Sequence, residues 1–144
     1  MKQFHISDVL TVTTGKLVSS RHIDGVYELL NFLTGDNLFT HQLPRAAREC
    51  EPWMRTQFPQ LFPEDPRMGP LLERLKISLE SEPETRKDKG EACARWVKAV
   101  QEAYGLPELL PVYEMGADMQ THIDPIEEAE AMVGKDRVIV VEGS

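Results

Sequence analysis

The chain is poor in the residues from which metal sites and nucleophile clusters are usually built. Its 144 residues include two cysteines and four histidines, and aromatic side chains make up 7%. No His-x3-His or Cys-x2-Cys spacing occurs, so a zinc-site signature is lacking. No Gly-x-Ser-x-Gly elbow is present. "TTGKLVSS", residues 13–20, has a Gly-Lys pair but lacks the upstream glycine of a phosphate loop. No apolar run approaches the roughly 18–20 residues of a membrane span. The opening "MKQFHISDVLTV" has no apolar core of a secretion signal. The expectation is a cytoplasmic protein in which Cys50 and Cys93, both on apolar helix faces, are small buried thiols.

Positive charge is also scarce, and its absence is local. The net charge is −8. Between Lys98 and Lys135 there is no lysine or arginine, whereas Glu102, Glu108, Glu114, Asp118, Asp124, Glu127, Glu128 and Glu130 are acidic. Such a stretch repels phosphate backbones, which argues against direct nucleic-acid binding through it. It attracts basic protein surfaces and raises their encounter rate. An acidic face that mimics nucleic acid on a partner's basic groove fits this pattern; a merely solvated acidic surface is the simpler assignment.

What is present is an ordinary soluble composition, 41% hydrophobic and 28% charged, in a chain of single-domain length. "KQFHI", residues 2–6, alternates like a short strand. In "SDVLTVTTG" the β-branched residues favour a strand, but Ser7 as N-cap and Gly15 as stop frame a two-turn helix, the reading preferred. Residues 23–34 are apolar around most of a helix, which predicts a central one ended by Gly35. A helix over 43–58 follows, with Leu43, Ala47, Cys50, Met54 and Phe58 as its stripe and Pro52 expected to kink it.

Asp65 and Pro66 open a third long helix lined by Met68, Leu71, Leu72, Leu75 and Leu79. After the polar "ESEPETRKDKG", Thr85 and Asp88 have capping-box spacing. Cys93, Trp96, Val97, Val100 and Tyr104 then mark the clearest helix period, closed by Gly105. Residues 106–120 read as irregular with at most a short strand. "DPIEEAEAMVG" carries a nearly complete set of helix signals, with Asp124 as cap. "RVIVVE", residues 137–142, reads as a buried strand. The fold class expected is α+β: one helix-rich globular domain over 1–144, with a small sheet joining N- and C-terminal strands.

Two stretches could carry chemistry or recognition. "RHID" and "THID" place His22/Asp24 and His122/Asp124 just before two helices. A two-histidine, two-aspartate cluster would suit a divalent metal, and with it a small metal-dependent hydrolase or nucleotide-handling enzyme. Helix capping is the simpler role, and no metal or cofactor is expected. "TGDNLFTHQLPR", residues 34–45, carries Asp36, Asn37, Phe39, His41, Gln42 and Arg45 on a connection between helices, as recognition loops do. In the simpler alternative Leu38 and Phe39 plug the core.

"FHISDVLTVTTGKLVSSRHIDGVYELLNFLTGDNLFTHQLPRA", residues 4–46, and the ending "HIDPIEEAEAMVGKDRVIVVE" resemble a group of small accessory proteins encoded by bacteriophages and prophages. The middle helices are unmatched. The resemblance names no reaction. It implies a protein of an infected or lysogenic bacterial cell that binds and inhibits a host protein or ribonucleoprotein complex, CRISPR effectors included; a virion-assembly accessory is a further possibility. The residues expected to meet such a partner are Asp36, Asn37, Phe39, His41 and Arg45 of the loop, with Glu114, Asp118, Glu127, Glu128 and Glu130 of the acidic segment.

Overall fold

The computed structural model describes residues 1–81, 85–120 and 122–133. In chain order these form β1 (Lys2–His5), α1 (Ile6–Thr14), α2 (Ile23–Thr34), α3 (Leu43–Gln57), α4 (Met68–Ser81), α5 (Arg86–Tyr104), β2 (Leu109–Val112) and α6 (Pro125–Val133). Single 3-10 turns lie at Thr40–Gln42, Pro59–Leu61 and Ala117–Met119. The architecture is helix-rich α+β. β1 and β2 form a two-stranded antiparallel sheet in which Phe4 faces Leu110 and Gln3 faces Pro111. The β-branched run 137–142 lies outside the described residues.

α1 is the most widely connected helix. It touches both strands, α2, α3 and α5. Ile6, Val9 and Leu10 are wholly buried, as are Leu29, Leu30 and Leu33 of α2 and Cys50 and Met54 of α3. α2 is less enclosed than its apolar circumference predicts: Tyr27 and Phe32 are half-buried and Ile23 is exposed. α3 runs through Pro52, which lies on its exposed side. Gly15, Gly35 and Gly105 end α1, α2 and α5 in the left-handed conformation, as the sequence predicts.

The β-branched letters of α1 have a specific use. Thr11 and Thr14 hydroxyls donate to carbonyls one turn back, 2.9 and 2.6 Å away, and so remain satisfied although buried. Their oxygens also receive the connection to α2: Val18 N–H donates to Thr11 Oγ1 at 3.1 Å, and Lys16 N–H to Thr14 Oγ1 at 3.3 Å. Ser20 N–H donates to Ser7 Oγ at 3.1 Å. At the centre lies Asp8, with no exposed surface. Ser19 Oγ donates to its Oδ1 at 2.5 Å, and Arg21 Nη2 to its Oδ2 at 2.7 Å. The cap of α1 is His5, whose Nδ1 accepts Ser7 N–H at 3.1 Å, rather than Ser7 itself.

α4 and α5 pack against each other. Trp96 Nε1 donates to the Leu71 carbonyl at 2.6 Å. Thr85 caps α5 by accepting Asp88 N–H at 3.1 Å. Asp65 turns the chain into α4, accepting Arg67 N–H at 3.0 Å and the Tyr104 hydroxyl at 2.8 Å. Arg67 lies 3.9 Å over the Tyr104 ring. The Tyr104 hydroxyl, then the Arg67 N–H, holds the Asp65 carboxyl below its usual range; burial, then Asp65, pushes Tyr104 up to about 12.

Two predictions follow from this packing. A Cβ on Gly25 would meet Asp8 Oδ1 at 2.2 Å and Ser19 Oγ at 2.3 Å, while one on Gly90 meets nothing within 4 Å. Urea unfolding should therefore show Gly25→Ala losing about 1–3 kcal/mol, as overpacked sites do. Gly90→Ala should gain about 0.5–1 kcal/mol from helix propensity; equal effects would contradict the packing. The Asp65–Tyr104 bond stabilises the fold when Asp65 is ionised and Tyr104 protonated. That stability is present above the ordinary carboxylate pKa and fades as pH falls through the lowered Asp65 value. On the alkaline side it is present below the ordinary tyrosine pKa and fades as pH rises toward about 12. In Tyr104→Phe the Asp65 carboxyl, followed by NMR, should titrate at higher pH than in the parent; an unmoved midpoint would contradict the assignment.

Candidate interaction surface

The connection from α2 to α3 lies against the segment 113–128, more than eighty residues later in the chain for most of the pairs. Leu38 is buried in the core, whereas Phe39 is 58% exposed, so the loop plugs inward with one side chain and presents the next. Phe39 stacks beside His41, with ring centroids 6.3 Å apart. The buried Gln42 amide closes the turn: its Oε1 accepts Phe39 N–H at 3.0 Å and its Nε2 donates to the Ile123 carbonyl at 3.1 Å. His41 Nε2 donates to the Pro125 carbonyl at 2.6 Å.

α3 extends the same docking. Trp53 Nε1 donates to the Tyr113 carbonyl at 2.7 Å. Gln57 reads both backbone groups of Tyr113, accepting its N–H at 2.7 Å and donating to its carbonyl at 3.2 Å. Asp124 caps α6 by accepting the N–H groups of Ile126 and Glu127 at 2.9 and 3.2 Å. A neighbouring depression of about 180 Å³ is bordered by His41, Pro44, Arg48 and Met132.

Arg45 and Glu128, expected at the partner surface, are engaged with each other. Glu128 is only 7% exposed, and Arg45 Nε donates to its Oε1 while Arg45 Nη1 donates to Glu49 at 2.9 Å. Arg45 Nη2 and Glu128 Oε2 are buried without a hydrogen-bond partner among the described residues. The pair fastens α6 to α3. His41 and Asp36 are also half-spent internally: Asp36 Oδ2 lies 3.3 Å from His122 Nδ1. Glu130 is half-buried. Asn37, Phe39, Glu114, Asp118 and Glu127 are exposed, as expected for the surface. Sequence reading missed Tyr113, Met119, Ile126 and Met132, exposed apolar residues of this segment. Their position among acids and prolines gives no periodic signal.

The two His-Ile-Asp stretches do not meet. His22 immediately precedes α2, and His122 touches Asp36 just beyond its end. Twelve helical residues span about 18 Å. Ligands of one ion, each at about 2 Å, cannot bridge that gap. Asp124 caps α6, and no group of three or more His, Cys, Asp and Glu is poised for a metal among the described residues. His22 does have φ 54°, the one positive value for a non-glycine residue among those described.

Cys50 is buried and desolvation pushes its thiol up to about 12; Cys93 is half-buried and raised for the same reason. Both shifts work against a reactive thiolate. Glu108, His5 and Ser7 form a carboxylate–imidazole–hydroxyl chain, with Glu108 Oε1 3.1 Å from Nε2 and Ser7 Oγ 2.7 Å from Nδ1. Ser7 is 2% exposed and its oxygen already accepts Ser20 N–H, so this chain holds the start of α1 rather than a nucleophile.

Residues 4–64, from β1 through the Pro59–Leu61 turn, match the model of a family described as a domain of unknown function, DUF7736. No curated protein and no solved structure matches the chain. The matched segment contains the Asp8 cluster and all the donors that hold 113–128: His41, Gln42, Arg45, Trp53 and Gln57.

The Arg45–Glu128 pair yields a local prediction. Removing one member strands the other in a largely enclosed site, at a cost of about 3–5 kcal/mol. In Arg45→Ala, amide hydrogen exchange in α6 should accelerate well before that of α1 and α2. Unchanged α6 protection would show that Arg45 does not fasten it.

Proposed function

We propose that this protein is a binding factor that docks on a positively charged surface of a host protein or ribonucleoprotein complex and blocks it. Exposed acidic and apolar side chains on the surface around α6 carry this reading. Phe39, Tyr113, Met119, Ile126 and Met132 are exposed in the loop and in residues 113–132. Glu114, Asp118 and Glu127 are exposed in the same segment, which has no lysine or arginine from 99 to 134. Exposed apolar residues and acids on one segment suit a protein interface, the apolar residues governing dissociation and the charges steering approach.

The resemblance to phage and prophage accessory proteins gives the reading its setting. The partner would be a host complex of a bacterial cell, and a nucleic-acid-guided defence complex has the required basic groove. In this mechanism the protein occupies the groove and performs no reaction there. Nucleic acid itself is not the ligand, since the acidic segment repels phosphate.

The test is affinity capture from a bacterial host, then binding kinetics with the purified partner. Raising salt from about 0.05 to 0.5 M should slow association at least tenfold, since added salt screens exposed charges. Glu114→Lys with Asp118→Lys and Glu127→Lys should slow it similarly, and Phe39→Ala should speed dissociation. Binding indifferent to both salt and charge reversal would overturn the reading.

A further inference from the structure

We propose that a second site, the cleft between α5 and the α1–α2 connection, binds a short extended acidic segment of a partner protein. This site is separate from the α6 surface and does not rest on the function proposed for it. The cleft has a volume of about 880 Å³. One wall is a stripe of α5 in which Arg86, Gly90, Cys93, Val97 and Gln101 recur every three or four residues, with Ala94 beside them. The facing wall includes Leu17, Ser20, His22 and Ile23. That wall is held in place by the Asp8 cluster, and Leu17 and Ile23 are exposed apolar residues on it.

Charge selects the ligand. Arg86, Lys87, Lys89 and Lys98 line the cleft, against the acids Glu91 and Glu108. In a chain of net charge −8 this is a local excess of positive charge. None of the four cations is ion-paired among the described residues. Three of the four lie in the first turns of α5, where the helix dipole adds to their attraction for an anion.

Length selects it further. From Arg86 to Gln101 the helix rises about 22 Å, which sets the length of the cleft. An extended peptide of about seven residues would span it at roughly 3.3 Å each. A nucleic-acid strand would need aromatic faces for its bases, and no Phe, Tyr or Trp lines the cleft. A fatty acid would need an apolar far end, whereas Lys98, Gln101, His5 and Glu108 make that end polar. The remaining pattern is acidic side chains beside Arg86, Lys87 and Lys89 and an apolar one over Cys93 and Val97.

Selection of a random heptapeptide display library on the full chain tests this. Enriched peptides should carry acidic residues at one end and an apolar residue two to four positions away. Labelled copies should bind, by fluorescence anisotropy, at least tenfold more weakly to Lys87→Glu/Lys89→Glu. Arg74→Glu/Lys76→Glu, the same charge change on exposed α4 positions outside the cleft, should alter binding less than twofold. Circular dichroism of each variant separates lost binding from lost folding. No enrichment, equal binding to the two charge-reversed variants, or displacement of the peptides by a thymidine oligonucleotide or by dodecanoate would each overturn the proposal.

Discussion

A carboxylate with no access to water organises the first half of this protein. Asp8 lies inside α1, where an unpaired charge would be costly, and the structure surrounds it with the hydroxyl of Ser19 and the guanidinium of Arg21. Both partners come from the chain that returns from α1 to α2, so satisfying the charge also fixes the path of that return. Residue 25 must then be glycine, because the carboxylate occupies the space of a side chain there. Arg21 is itself tied outward to Glu28, whose carboxyl Lys2 and then Arg21 hold below the ordinary range. A buried charge, a loop, a helix start and β1 are thus one electrostatic unit.

That unit sets where both candidate surfaces lie. Its loop forms a wall of the α5 cleft, and α2 carries the constraint to the turn at Gly35 and the residues after it. From there, His41, Gln42, Trp53 and Gln57 all bond to backbone groups of residues 113–125. Binding a segment by its backbone leaves its side chains uncommitted. Tyr113, Glu114, Asp118, Met119, Ile126 and Glu127 face solvent, while the backbone of Tyr113, Ile123 and Pro125 is held. Holding backbone in this way lowers the ordering cost of association.

The helices were legible because their ends are chemically marked: Gly15, Gly35 and Gly105 as stops, and Thr85 and Asp124 as caps, need only local rules. The sheet was less so. Residues 109–112 pair with β1 although Pro111 weakens their strand character, which a two-stranded ribbon tolerates because one side of each strand lacks a neighbour. The threonines of α1 read locally as strand formers, but their hydroxyls are consumed by a loop seven residues or fewer away. In the 34–45 loop the sequence did not reveal which side chains point inward and which outward. Whether Arg45 meets a partner or Glu128 depends on a contact 83 residues distant, and no spacing rule records it. For the repeated His-Ile-Asp letters the capping role read for Asp124 needed only local rules, whereas the separation of the two copies across α2 is recorded by no spacing.

The central claim is that the Asp8 charge, and not merely its volume, holds the α1–α2 connection. Asp8→Asn preserves shape and removes the charge, so its effect on urea unfolding and on amide exchange across residues 16–22 is the most direct measurement. A loss of about 1.5–3 kcal/mol is expected, as for hydrogen bonds to a charged group, since the Arg21 left behind is half-exposed and still paired with Glu28. Exchange is expected to accelerate first in that connection. Stability within about 0.5 kcal/mol of the parent, with protection of residues 16–22 intact, would contradict it.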